Sequence, residues 1–208
     1  MLQNTPQVVK NLIILNVIMY VVSGLMGDAA VPLLAGTYPG SPFFQPWQVV
    51  THMFMHGDLG HIFFNMFALF MFGSQLERVW GPKRFLTYYV VCGLGGAALS
   101  FIFLPATIVG ASGALFGVML AFAMNWPRAP IYVFGIFPVE ARYLVGFMVV
   151  VTLLSATDSA AGSNVAHLAH LGGLITGWIY LKADFRTGAA IGNVRRAASR
   201  KRRLAIVP

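Results

Sequence analysis

Charge is scarce in this sequence. Of its 208 residues only 10% are Asp, Glu, Lys or Arg and 58% are apolar, whereas a soluble domain carries about 25% charged side chains. A water-soluble fold of this length could not cover its surface with so few polar groups, so a soluble enzyme is excluded. The single cysteine, Cys92, excludes an intrachain disulfide. No unit recurs at a period of about 20–50 residues, which excludes a repeat array. Carboxylates number six against 14 basic residues. His52 and His56 have helical spacing for two metal ligands, yet no HExxH carboxylate accompanies them, and Asp28, Asp58 and Asp158 fall in loops. Neither a metal nor another cofactor is expected.

What the chain does have is long apolar runs, with a mean hydropathy of +0.74. Six stand out: Asn11–Gly27, His61–Leu76, Phe85–Leu104, Ser112–Asn125, Tyr143–Thr157 and Val165–Leu181. At about 20 residues per crossing, they predict an all-α membrane protein, a bundle of six transmembrane helices with short connections. The first run differs from a signal peptide, because its leader is long and carries only Lys10.

The basic residues orient this bundle. With the N-terminus in the cytoplasm, the inner segments hold Lys10, then Arg78, Lys83 and Arg84, then Arg128 and Arg142, and lastly the eight from Lys182 to Arg203, which is all 14. The outer segments 28–60, 105–111 and 158–164 hold none, the asymmetry that the positive-inside rule describes. The expected organisation is therefore a cytoplasmic N-terminus over 1–10, a six-helix domain over 11–182 with a long outer loop at 28–60, and a basic cytoplasmic tail over 183–208. The tail lacks the interleaved aromatics of a single-strand binder and reads as an anchor on anionic lipid headgroups, not as a nucleic-acid site. The loop 28–60 is apolar and carries Phe43, Phe44, Trp47, Met53 and Phe54, which predicts a lid packed on the helices or a segment partly embedded in the outer leaflet.

Polar groups inside a bilayer are costly and mark function. All five histidines, His52, His56, His61, His167 and His170, fall at or near the outer ends of the second and sixth runs. His61 and Asn65 are spaced i, i+4 and share one helix face, where they serve either as interhelical hydrogen-bonding groups or as stabilisers of a developing negative charge. In Gly110-Ala111-Ser112-Gly113, Ser112 opens the fourth helix, where free N–H groups favour an anion. Gly113 and Gly117 form a small-residue face beside Ser112; His170, Gly173 and Gly177 form a matching face on the sixth helix. Packing of the two faces brings Ser112 opposite His170 as nucleophile and base. His167 competes for the base role but lacks the glycine spacing. Asp158, in a loop, is a weak candidate for a third member, so a Ser–His dyad is expected.

Together these residues resemble the rhomboid family of intramembrane serine proteases. The resemblance runs through Pro46-Trp47-Gln48 and the stretch from His56 to Met66. It continues through Glu77-x3-Gly81-x2-Arg84, Gly110-Ala111-Ser112-Gly113 and Ala169-His170-Leu171-Gly172-Gly173-x3-Gly177. It implies hydrolysis of peptide bonds in or beside the transmembrane helices of membrane-protein substrates, in a multi-pass protein of a bacterial plasma membrane. It further implies Ser112 as nucleophile, His170 as general base, an oxyanion hole of His61, Asn65 and the Ser112 N–H, and His56 as an organiser of the first loop. Gln48 departs from the family, many members of which carry Arg after the loop tryptophan. Three other readings compete: a non-catalytic relative that binds transmembrane helices, a small transporter, and a purely structural membrane protein. The presence of both Ser112 and His170 argues against the first, and the lack of polar groups through the full depth argues against the second.

Overall fold

A backbone without water around it must satisfy its own polar groups, so the apolar runs are helices. The computed structural model describes residues 4–133, 135–156 and 165–183. Asp158, the rest of the outer segment 158–164 and the basic tail from residue 184 lie outside them. Helix α1 is Gln7–Met26, followed by the short α2, Ala30–Leu34, and α3, Gln48–Thr51. Helix α4, Leu59–Ala68, passes through a π-helical turn, Leu69–Gly73, into α5, Ser74–Trp80. Then come α6, Pro82–Phe103, α7, Ser112–Asn125, and α8, Ala141–Ala156; a last helix, α9, covers 165–183.

Among the described residues three stretches are long and apolar enough to cross a membrane, Gln7–Leu34, Leu59–Trp80 and Pro82–Phe103; Ser112–Asn125 and Ala141–Leu154 are shorter apolar helices. The described residues are mostly helical, with two departures among them from the all-α expectation. Strands β1, Gly36–Thr37, and β2, Thr107–Ile108, pair antiparallel and tie the first loop to the segment before α7. Strands β3, Pro130–Val133, and β4, Phe137–Glu140, form a hairpin between α7 and α8 that the sequence reading treats as a plain connection.

Apolar side chains form the surface as well as the core. Leu25 is 84% exposed and Ile102 73%, while Asn16 and Gln48 are fully buried, as apolar surroundings require. The core is built from Phe85, Tyr88, Tyr89, Leu69, Leu76 and Val9. Buried polar groups have specific tasks. Both carboxylate oxygens of Glu77 accept from the opening turn of α1, from Val8 N at 2.9 Å and Val9 N at 2.8 Å, which caps that helix from another element. Tyr88 donates its hydroxyl to the Gly117 carbonyl at 2.8 Å, joining α6 to α7.

The first loop is ordered by Gln48. Its Nε2 donates to the Pro32 carbonyl at 2.8 Å, and its Oε1 accepts from Gln45 N at 3.0 Å. Trp47 Nε1 donates to the Leu33 carbonyl and Thr51 Oγ1 to the Leu34 carbonyl. A neutral amide thus holds this buried corner with no charge to desolvate.

Candidate active site

Ser112 stands at the first position of α7. Gly110 before it has φ +111°, a conformation open to glycine, and a Cβ there would lie 2.6 Å from His61 Nε2. Gly110 N donates to the His52 carbonyl at 2.8 Å, which anchors this turn on the first loop.

The glycine faces meet. A Cβ on Gly173 would overlap the Gly113 carbonyl, and one on Gly177 would lie 3.3 Å from Gly117 Cα. Helix α6 joins the same contact, because a Cβ on Gly172 would lie 2.9 Å from Gly96 Cα; the sequence reading paired only α7 and α9. At this backbone approach Ser112 Oγ lies 2.8 Å from His170 Nε2. With the imidazole proton on Nδ1, the hydroxyl donates and Nε2 accepts.

The His170 ring is held by aromatic contacts. Phe116 stacks on it with centroids 4.1 Å and planes 8° apart, and His167 stands edge-on at 6.0 Å. Phe116 is missing from the sequence reading, although it lies four residues after Ser112 and therefore on its helix face.

His61 and Asn65 line a cavity of about 430 Å³ together with Ser112, His170, Gly110 and His52. Asn65 is buried, and its Nδ2 donates to His56 Nε2 at 2.9 Å. His56 in turn meets the His61 ring edge-on at 4.9 Å. Asp58 caps α4 by accepting from His61 N at 2.8 Å, which sets the start of that helix and hence the height of His61 and Asn65. His52 and His56 belong to the loop ahead of α4. Burial lowers the pKa of both, that of His56 to about 4 with the neighbouring His61 adding to the effect, so both imidazoles are neutral at physiological pH. The two are not on one helix, since the turn carrying His52 ends at Phe54. His52 Nδ1 donates to the Gln48 carbonyl at 3.0 Å.

A second, apolar groove of about 550 Å³ runs from Ser112 and Asn65 between α4 and α8 to the β3–β4 hairpin. Chemically, the arrangement offers a hydroxyl beside an imidazole nitrogen, at the mouth of an apolar groove, with amide and further imidazole groups close by.

A family model described as the Rhomboid domain matches residues 44–187. The chain is 32% identical over 164 residues to rhomboid protease GluP of Bacillus subtilis, covering 77% of this chain and 29% of that protein. It is 34% identical over 139 residues to RHOMBOID-like protein 6, mitochondrial, of Arabidopsis thaliana, covering 64% and 42%. To rhomboid protease GlpG of Yersinia pseudotuberculosis it is 29% identical over 180 residues, covering 86% and 63%. The chain thus spans between 29% and 63% of the length of these relatives.

Proposed function

Because the chain belongs to the rhomboid family, we propose that it is an intramembrane serine endopeptidase that cleaves transmembrane proteins in or beside their membrane-spanning helices. The observation that carries this reading is the 2.8 Å contact between Ser112 Oγ and His170 Nε2 at the wall of a cavity that also contains Asn65 and His61.

In this reading Ser112 Oγ attacks the scissile carbonyl carbon while its proton passes to His170 Nε2. The carbonyl π electrons move onto oxygen, and the resulting oxyanion is held by the Ser112 N–H and the side chains of Asn65 and His61. The C–N bond then breaks, and the departing amine takes the proton from His170. Water attacks the acyl-serine, giving its proton to the same nitrogen, and the serine leaves reprotonated. His56 acts through Asn65, whose amide it orients. Local unwinding of the substrate helix precedes attack, since a helical carbonyl is already hydrogen-bonded; small or helix-breaking residues near the scissile bond lower that cost. The substrate reaches Ser112 past α8 and the segment before α7.

The same reading takes the bundle as six spans with both termini in the cytoplasm, and the basic tail 183–208 on the lipid headgroups of a bacterial plasma membrane. Cysteines introduced at Gly40 and at Ala198 test the topology: the first labels from outside and the second only from inside. Labelling of position 198 from outside would overturn it.

The chemistry is tested with a fluorophosphonate probe and a model transmembrane substrate. The wild type should label and cleave, and Ser112→Ala and His170→Ala should do neither while melting at the wild-type temperature. A double variant should lose no more than either single one, as groups acting as a unit do. Cleavage that survives in purified Ser112→Ala would remove that residue from the mechanism. A wild type that binds transmembrane helices but neither labels nor cleaves would establish the non-catalytic reading instead.

A further inference from the structure

The connection from α7 to α8 is built, and we infer that the β3–β4 hairpin is a contact site for the apolar helix of a membrane-protein substrate, reading side chains remote from the scissile bond. The inference rests on the protease reading above.

The hairpin forms the far end of the groove that begins at the nucleophile. Ser112 and Asn65 line one end, Ile131, Tyr132 and Val133 the other, and Met148 of α8 the wall between them. Helix α7 separates the two ends with 14 residues, about 20 Å at the α-helical rise. A substrate helix whose bond lies at Ser112 and whose remainder follows this groove therefore meets the hairpin about 10–14 residues from that bond.

The hairpin is a regular ribbon with an apolar surface. Its strands pair in register from Pro130↔Glu140 to Val133↔Phe137, and two further bonds, Ala141 N to the Ala129 carbonyl and Arg142 N to the Pro127 carbonyl, extend the ladder to the helix ends. The turn places Gly135 at φ +72°, as short hairpin loops require. The polar groups on the facing edges of the two strands are thus paired with each other. Yet its side chains are large and uncovered: Tyr132 is 59% exposed, Ile136 69% and Phe137 62%. The charges sit at its base, where Arg142 pairs with Glu140 at 2.8 Å and lies over the Tyr143 ring. A solvated connection would carry these properties the other way round.

Continuity selects the occupant. Apart from Ser112 and Asn65, the groove offers apolar side chains and the Tyr132 hydroxyl, and its open end is the reacting group. The chemistry that fits is one apolar helix entering side-on, with a bulky residue one groove-length from the cleaved bond.

The test uses two substrates with identical residues around the scissile bond, one with a complete transmembrane segment and one ending about eight residues beyond that bond. Tyr132→Ala combined with Val133→Ser should raise KM about tenfold for the complete segment and leave kcat unchanged. For the truncated substrate both constants should change less than twofold. An equal loss on both substrates, or no loss on either, would overturn the inference. Disulfide trapping in the Ser112→Ala protein provides a readout independent of turnover. A cysteine at Tyr132 should trap one placed 10–14 residues from the scissile bond and not one near it; trapping that ignores position means that lipid fills the groove and the substrate lies elsewhere. If the wild type cleaves neither substrate, the protease reading fails, while the trapping experiment still decides whether the hairpin holds a transmembrane helix.

Discussion

The Phe116 ring lies parallel to the His170 imidazole, with centroids 4.1 Å apart. In soluble serine proteases a carboxylate orients the histidine. Here an aromatic face four residues along from Ser112 fixes the plane of the ring whose Nε2 faces Oγ. The same helix therefore carries Ser112 and the ring that fixes the plane of the imidazole facing it.

Phe116→Ala should lower kcat about tenfold or more, because a small misalignment of reacting groups is costly, with little change in KM. Phe116→Tyr, which keeps the stacked face, should restore most of the rate. Steady-state kinetics on both variants separates positioning from folding, and equal activity of Phe116→Ala and wild type would exclude the role.

Asn65→Ala and His61→Ala should each reduce kcat more than they change KM. A donor to an oxyanion makes its best bond only as charge develops, so its loss falls on the transition state. One such donor is worth roughly 10²–10³ in rate in a soluble protease; with the Ser112 N–H and the other side chain remaining, the expected loss is at the lower end of that range. If the two groups only pack the bundle, melting temperature falls and kcat per folded molecule stays normal.

Gly173→Ala should destabilise the protein by about 1–3 kcal/mol, the usual cost of overpacking, and should separate Ser112 from His170, since the added Cβ would overlap the Gly113 carbonyl. Gly146→Ala on α8 is the matched control. Nothing lies within 4 Å of the point that a Cβ would occupy there, so its melting temperature should hold or rise slightly through helix propensity. Thermal melts in detergent, with activity measured on the same samples, compare the two.

Stability should fall as pH is lowered from about 6.5 to about 4. His56 has an ordinary value of 6.5 and is held at about 4 in the folded protein by burial and by His61, and burial lowers His52 in the same direction. In this window the unfolded chain binds protons that the folded chain refuses, so unfolding is favoured; above about pH 7 both states are neutral and the contribution vanishes. His56→Gln can still accept from Asn65 but does not titrate, and should flatten the dependence of melting temperature on pH. An unchanged slope would remove His56 as its source.

Much of this protein is legible in one dimension because a bilayer imposes simple rules. The apolar runs locate the helices, although α4 begins two residues before the predicted run and its continuation ends four after it, at Trp80. Relations within one helix, such as His61 with Asn65 or His170 with Gly173 and Gly177, follow from the helical period alone. The residue types at those spacings suffice to nominate Ser112 and His170. Other features are not readable this way. The β3–β4 hairpin had a signal in the β-branched and aromatic residues flanking Gly135, hidden by an apolar context in which a short run suits helix or strand equally. The π-helical turn at Leu69–Gly73 and the capping of α1 by Glu77 leave no periodic trace. Above all, the 2.8 Å between Ser112 and His170 joins residues 58 apart in sequence. That distance depends on how closely α6, α7 and α9 approach, which glycine permits but does not impose. The sequence by itself determined which chemical groups face the bundle interior; only the tertiary structure decided which of them touch, because interhelical distance is set by backbone contact summed over several helices and not by any local period.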